Sequence, residues 1–225
     1  MWTQNIKVLK VTEDRKKKQQ DQLLIEKETE IIINGDVQAS IIHSPQFEKE
    51  LGIGYCLLQQ PTQDILSCKY LQDKQQCVIE TTEKSSNNEI RDSLAIIESA
   101  KIFQLTAYFQ EKAYLYKKTA ITESAAIATQ DDIIYHFEDL HLDNAIYKLL
   151  GHAYQEGVKQ LNEHILLVSA KLDSRLMKQL CNCNFEAIVS RTAFTKEALE
   201  IAKAQNINAI GFARGRRFNH YSSGI

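Results

Sequence analysis

Apolar residues recur every second position in some stretches and every three to four in others, and this switching marks out most elements of the chain. Residues 30 to 42 read as a hairpin. Ile31, Ile32 and Ile33 are β-branched, Asn34-Gly35 is the preferred pair for a type I′ turn, and residues 37 to 42 run back. Phe47, Leu51, Tyr55 and Leu58 then fall on one helical face, with Ser44 the expected N-cap and Pro45 at the first helical position. Gly52 and Gly54 lie inside this helix at a cost in propensity, which suits close approach of another backbone. Residues 65 to 70 and 77 to 82 read as short strands, 83 to 89 as a polar loop, and 90 to 112 as helical, in one piece or two.

Residues 120 to 128 and 133 to 137 read as a second hairpin, although its turn has no glycine. Leu142, Ala145, Ile146, Leu149, Leu150 and Ala153 make a regular stripe, so this segment is a helix with a buried face. The chain then alternates. Strands are expected at 164 to 169, 186 to 190 and 209 to 212, with helices at 173 to 181 and 195 to 205. That order implies right-handed crossovers and parallel strands. The fold class is therefore α/β, with a smaller N-terminal α+β part. Residues 1 to 24, which include the charge run 14 to 22, are expected to form a loosely ordered arm. Residues 25 to 118 make the α+β part and 119 to 225 the α/β core, all in one interlocked domain.

Composition narrows the function. The formal charge of −2 gives no bulk field to attract nucleic acid. The chain has 8 glycines and 2 prolines, and none of either lies between Pro61 and Gly151. Walker loops, GxGxxG turns and GxSxG elbows all need clustered glycines, so those classes are excluded. The cysteines are Cys56, Cys68, Cys77, Cys181 and Cys183. An odd, sparse set points to reduced thiols in the cytoplasm. Cys181-Asn182-Cys183 is not a CxxC pair, and no metal site is expected. No apolar run is long enough to span a membrane.

Three places could carry chemistry. Arg214-Gly215-Arg216-Arg217 follows a buried strand directly, and ligands of α/β sheets bind beyond the carboxyl ends of strands. Guanidinium groups there can grip a phosphate or carboxylate, or the cluster is simply a solvated basic terminus. Asn219 and Tyr221 alternate with Arg217 and could face the same way. Ser169 and Lys171 lie just past another strand, where they could meet a phosphate, or where Asp173 caps a helix and Lys171 stays in solvent. Glu138-Asp139 precede the striped helix, with His141, Asp143 and Asn144 near its start. Carboxylates there ordinarily serve the helix N-terminus.

The same three places resemble a known family, the formate dehydrogenase accessory proteins (FdhD/NarQ). The segment from Gly211 to Tyr221 is similar to the family's Gly-Phe-x-Arg-x-x-Arg-x-Asn-x-Tyr. Glu138-Asp139, Asn144-Ala145 and Lys148 fit part of Glu-Asp-Val-Gly-Arg-His-Asn-Ala-x-Asp-Lys, and Ser169-Ala170-Lys171 falls where the family has Ser-Gly-Arg. Ser44-Pro45 with its helix, and Asn34-Gly35, also match. The resemblance implies a three-layer sandwich like that of the cytidine deaminases, in a homodimer. It implies sulfur transfer from a cysteine desulfurase to molybdopterin guanine dinucleotide destined for formate dehydrogenase. It also implies that Arg214, Arg217, Asn219, Tyr221, Ser169, Lys171, Glu138, Asp139 and Asn144 bind that cofactor or a guanine nucleotide.

The chain departs from the family where glycine is scarce. In place of a Cys-Gly-x-Cys-Gly loop it has Lys84-Ser85-Ser86-Asn87-Asn88-Glu89. Thr119-Ala120-Ile121-Thr122-Glu123 stands at the family's Thr-Gly-Gly-x-His, and His141-Leu142-Asp143 at its Gly-Arg-His. Cys181 and Cys183 remain weak candidates for a catalytic thiol. Three readings follow: a cofactor-binding homologue with an altered sulfur step, a sulfurtransferase using another cysteine, or a scaffold that binds no nucleotide.

Overall fold

A computed structural model describes residues 1 to 83, 97 to 158 and 160 to 221. The expected polar loop at 83 to 89, apart from Glu83, and the start of the helix expected from residue 90, therefore lie outside the described residues. The fold is mixed α/β, built on a six-stranded sheet, a four-stranded sheet and a two-stranded ribbon.

The six-stranded sheet forms from the second half of the chain. Its strands are β7 (Glu123–Ala128), β8 (Ile133–Asp139), β9 (Ile165–Val168), β10 (Ala187–Ser190), β11 (Asn208–Arg214) and β12 (Arg217–His220). Their spatial order is β12-β11-β10-β9-β7-β8. The three central strands β9, β10 and β11 run parallel, as the alternation of apolar runs and helices requires. The helices between them are α5 (Ser174–Cys181) and α6 (Lys196–Ala204). Each begins at the residue the sequence offers as a cap: Asp173 accepts from the Leu176 N–H and Thr195 from the Ala198 N–H.

Helices cover both faces of this sheet. On one side α4 (Leu142–Gln155), α5 and α6 bury Leu149, Met177 and Ala202 against Leu166, Val168 and Ile188. On the other, α2 (Ser99–Lys112) lays Ile102, Leu105 and Phe109 over Ala126, Leu167 and Val189. The striped helix is thus confirmed, and α2 occupies the later part of the expected helical stretch. A short α3 (Tyr114–Thr119) follows it, which the pattern did not announce.

The smaller sheet holds β3 (Lys27–Ile33), β4 (Asp36–His43), β5 (Gln63–Leu71) and β6 (Gln76–Glu83) in the order β4-β3-β6-β5. Asn34 and Gly35 both take positive φ, 51° and 88°, as a type I′ turn demands. Helix α1 (Glu48–Gln59) lies between the sheets. It packs Leu51 and Leu58 toward α4, and Cys56 against Ile31, Cys77 and Ile79 of the small sheet. Gly54 and Gly151 make this junction possible. A Cβ on Gly54 would lie 1.8 Å from the Tyr147 carbonyl oxygen of α4, and one on Gly151 would lie 1.9 Å from that of Glu50 in α1.

Two expectations are corrected. Ser44 and Pro45 do not open α1, whose N-cap is Phe47 in the left-handed region. Ser44 is instead fully buried, with its N–H and hydroxyl both given to Asp139. A tertiary partner has outcompeted the local capping role. Residues 1 to 24 are not a loose arm either. They form the antiparallel ribbon β1 (Thr3–Val11) and β2 (Lys16–Leu24). Ile6 and Val8 alternate with polar neighbours, but the return strand is nearly all polar, so backbone pairing rather than burial holds it. Trp2 anchors the ribbon's base against Phe47, ring centroids 6.0 Å apart, and lies 5.7 Å from the Lys148 ammonium.

Candidate functional site

The carboxyl ends of the parallel strands converge on one edge of the large sheet. Ser169 and Lys171 follow β9, Arg191 and Thr192 follow β10, and Arg214 ends β11. Glu123, at the start of β7, joins them because β7 runs antiparallel to β9. Hydrogen bonds lace these strand ends together. Ser190 donates its hydroxyl to the Ala170 carbonyl at 2.7 Å and accepts the Thr192 N–H at 2.9 Å. The Phe212 N–H reaches the Thr192 carbonyl at 2.8 Å.

Two arginines dominate the edge. Arg214 is exposed and donates from Nε to the Arg191 carbonyl oxygen at 2.6 Å. Arg191 is half-buried, and its side chain donates to the Gln110 amide oxygen of α2 at 3.4 Å. Burial, with the Arg214 charge added, lowers the Arg191 pKa from its ordinary value, against the opposing pull of Tyr116 and of the Glu123 carboxylate. Neither guanidinium makes an ion pair with a carboxylate among the described residues. Close by, Ser169 accepts the Ser124 N–H at 2.8 Å and donates its hydroxyl to Glu123. Lys171 is exposed.

The backbone at this edge is also bent. Phe212 takes φ 53°, and the pairing of β11 with β12 shifts register between Gly211 and Arg214. Such bulges re-aim side chains at strand ends. Gly211 leaves little room for a side chain here, since a Cβ would lie 2.9 Å from the Tyr221 ring and 3.1 Å from the Thr192 carbonyl oxygen.

The residues expected from sequence do not gather into one cluster. Arg217, Asn219 and Tyr221 do share a face of the edge strand and its end, all exposed, as their alternation required. Asn219 donates to the Tyr221 hydroxyl at 3.3 Å, and the Tyr221 ring packs against Phe194 at 6.0 Å. That is the α5–α6 side of the sheet, to which Phe194 belongs, whereas Arg191 reaches toward α2. Phe218 points to the α2 side with Phe103.

Glu138, Asp139 and Asn144 are all buried and hydrogen-bonded inside the protein. Glu138 accepts the Leu115 and Tyr116 N–H groups, both at 2.8 Å, and the Thr122 hydroxyl at 3.1 Å, so it caps α3 from a neighbouring strand. Asp139 pairs with Lys148 at 2.5 Å and accepts from Ser44, Leu140 and Asn144. Asn144 also donates to the Ile42 carbonyl at 2.8 Å, tying α4 to β4.

His43 completes this network. Its Nδ1 faces the Ser44 carbonyl at 2.6 Å and its Nε2 the Thr29 hydroxyl at 2.8 Å. A carbonyl only accepts, so Nδ1 carries the proton and Thr29 donates to Nε2. Burial, with the charge of Lys148 added, lowers its pKa and keeps it neutral.

Cys181 and Cys183 lie at the C-terminal end of α5, away from the strand carboxyl ends, and burial pushes the Cys181 thiol up to about 11. That is the wrong direction for a nucleophile at neutral pH. Arg191 is the residue that sequence reading missed. The rule that pointed to Lys171 and Arg214, a cation just past a buried strand, applies to it equally.

Fold and edge together define a class: a mixed α/β protein whose large sheet presents paired arginines at the carboxyl ends of its parallel strands. Comparison with known proteins narrows this. The chain belongs to the FdhD/NarQ family, whose model matches residues 83–224. Protein FdhD from Methanocaldococcus jannaschii is 28% identical over 205 residues, which cover 91% of this chain and 90% of that protein. Sulfur carrier protein FdhD from Shouchella clausii is 33% identical over 99 residues, 44% of this chain and 37% of its own length. A solved structure from Desulfotalea psychrophila, assigned as a formate dehydrogenase accessory protein, matches with a TM-score of 0.83 at 18% identity, covering 98% of this chain and 96% of that one.

Proposed function

We propose that the protein is a formate dehydrogenase accessory protein that binds a guanine-nucleotide-bearing molybdenum cofactor, as cargo, at the strand-end arginines. The observation that carries this is the pairing of Arg191 and Arg214. Two guanidinium groups of like charge, one of them half-buried and neither ion-paired among the described residues, favour a bound anion. A diphosphate supplies that anion, and hydroxyl groups of Ser169 and Thr192 lie on the same edge. Arg217, Asn219 and Tyr221 line the edge strand beside Arg214 and take the nucleoside end. Glu138, Asp139 and Asn144 support the fold around the site rather than touch the cargo.

The remaining parts of the reading follow from the family. The protein works as a cytoplasmic homodimer with a cytidine-deaminase-like core. Formate dehydrogenase is its client, and a cysteine desulfurase is the source of any sulfur. Relatives are named sulfur carriers. The stretch Lys84–Glu89 has no cysteine, so this member's sulfur step is altered.

Calorimetric titration of GDP into the full chain tests the reading. Saturable binding in a one-to-one ratio is expected. Absence of binding overturns the nucleotide site and leaves a scaffold. Incubation with a cysteine desulfurase and cysteine, followed by intact mass, tests the sulfur step separately. A sulfur adduct lost on reduction restores the active sulfurtransferase.

A further inference from the structure

The small sheet carries a pair of thiols that the site above does not use. Cys77 stands opposite Tyr70 in the β5–β6 ladder, and Cys68 opposite Ile79. Residues 68 and 70 share a face, so the two cysteines are diagonal neighbours on one side of the sheet. Their sulfurs lie 3.4 Å apart.

The two sulfurs have different surroundings. Cys77 is fully buried beneath α1, in space that Gly52 leaves open. A Cβ on Gly52 would lie 2.2 Å from the Cys77 sulfur. Cys68 is half-buried at the rim, 3.9 Å from the Lys49 carbonyl oxygen. A hydrogen bond from the Cys77 thiol, helped by the Lys49 charge, holds Cys68 below the usual thiol range against burial and Glu50. That hydrogen bond and burial push Cys77 far up. On α1, burial and the Cys68 charge push Cys56 up to about 11, so it stays protonated.

We propose that Cys68 and Cys77 are a redox-active dithiol, which low-molecular-weight disulfides convert to an intramolecular disulfide with Cys68 as the attacking sulfur. The Cys68 thiolate attacks one sulfur of R–S–S–R. A Cys68–S–S–R bond forms, the small disulfide breaks, and RS⁻ leaves and takes up a proton. Cys77 then gives up its proton and attacks the Cys68 sulfur. The second RS⁻ leaves and is protonated. The two protein thiols lose two electrons and two protons, and R–S–S–R becomes two RSH. For the final bond the sulfurs close from 3.4 Å to about 2.05 Å. The product staples β5 to β6 beside the glycine face of α1.

The full chain is incubated with mixtures of oxidised and reduced glutathione, quenched with an alkylating agent, and mapped by proteolysis without reduction. A Cys68–Cys77 cross-linked peptide is expected, with loss of two hydrogens from the intact mass. Cys68→Ser loses the cross-link completely, and Cys77→Ser stops at one glutathione on Cys68. Cys77 is buried, so Cys77→Ala is prepared as well. If neither folds, Cys68→Ser, at a half-buried position, decides alone. Alkylation of both Cys68 and Cys77 in the wild type at every glutathione ratio overturns the proposal. So does a cross-link that survives in Cys68→Ser, since it joins other cysteines.

Discussion

Asp139 and Lys148 form an ion pair 2.5 Å long in which both side chains are wholly buried. Ser44 lies between them. It gives its N–H and hydroxyl to Asp139 and accepts Lys148 at its carbonyl oxygen, 2.7 Å away. The segment linking β4 to α1 is thereby clamped to the end of β8 and the middle of α4. Breaking a buried pair strands one charge without a partner, at a cost of about 3–5 kcal/mol. Asp139→Asn and Lys148→Met are each expected to lower stability by that order in urea unfolding. The double variant is expected to lose less than the sum, because no charge is stranded. Strictly additive losses would show that the two residues act separately.

The α1–α4 junction makes a second prediction. Its backbones meet at Gly54 and Gly151, where a methyl group would overlap a carbonyl oxygen of the opposite helix at 1.8 Å and 1.9 Å. Neither obstacle is a flexible side chain, so the helices must separate. Gly54→Ala or Gly151→Ala is expected to cost at least about 3 kcal/mol, the upper range for overpacking. Gly157→Ala is a useful contrast. A Cβ there meets nothing within 4 Å, and strain from its positive φ is the only cost. Equal melting temperatures for Gly54→Ala and wild type would count against the close approach.

These contacts show what the sequence made legible. The alternation of buried strands and helices from residue 164 onward depends on local signals; Asp173 caps where expected, and the helix expected from Thr195 begins there, with Thr195 as its cap. The glycines of α1 announced a close approach, although not its partner. Ser44, Asp139 and Lys148 were visible only as helix-cap and motif residues, because their partners lie 95 and 104 positions away in the chain. Local capping chemistry and tertiary burial use the same residue types, and the tertiary demand won. The arginine edge was half legible. Arg214 stood out in a basic run, while Arg191, alone between Ser190 and Thr192, gave no compositional signal.

His136 makes the protein sensitive to acid. It packs edge-on to Phe109 at 5.4 Å, and its Nε2 has no hydrogen-bond partner among the described residues. Burial, aided by the Lys112 charge, lowers its pKa from 6.5 to about 4. Between those values the unfolded chain holds a proton that the folded chain does not, so stability falls as pH falls through this window. The loss is on the order of 2 kcal/mol for a half-buried ring. His136→Phe, which keeps the aromatic contact, is expected to flatten the pH dependence of the urea midpoint between pH 7 and about 4.5. Some slope persists, since burial also lowers His43 and His220. Parallel pH profiles for wild type and variant would remove His136 as the cause.

The proposed cargo site draws on three arginines. Arg214 reaches the Arg191 carbonyl at the strand ends, and Arg217 stands directly opposite Arg214 in the β11–β12 ladder. A charge-assisted contact contributes about 1.5–3 kcal/mol, equivalent to roughly 10- to 100-fold in affinity. Arg191→Ala and Arg214→Ala are each expected to weaken GDP by that factor. Both are also expected to reduce binding of inorganic pyrophosphate, which lacks the nucleoside. Arg217→Ala is expected to weaken GDP while leaving pyrophosphate unchanged, because that residue serves the nucleoside end. Calorimetry of both ligands against the three variants reads this split directly. Loss of pyrophosphate binding in Arg217→Ala alone would move the diphosphate to the edge strand and leave the Arg191–Arg214 pair without a ligand.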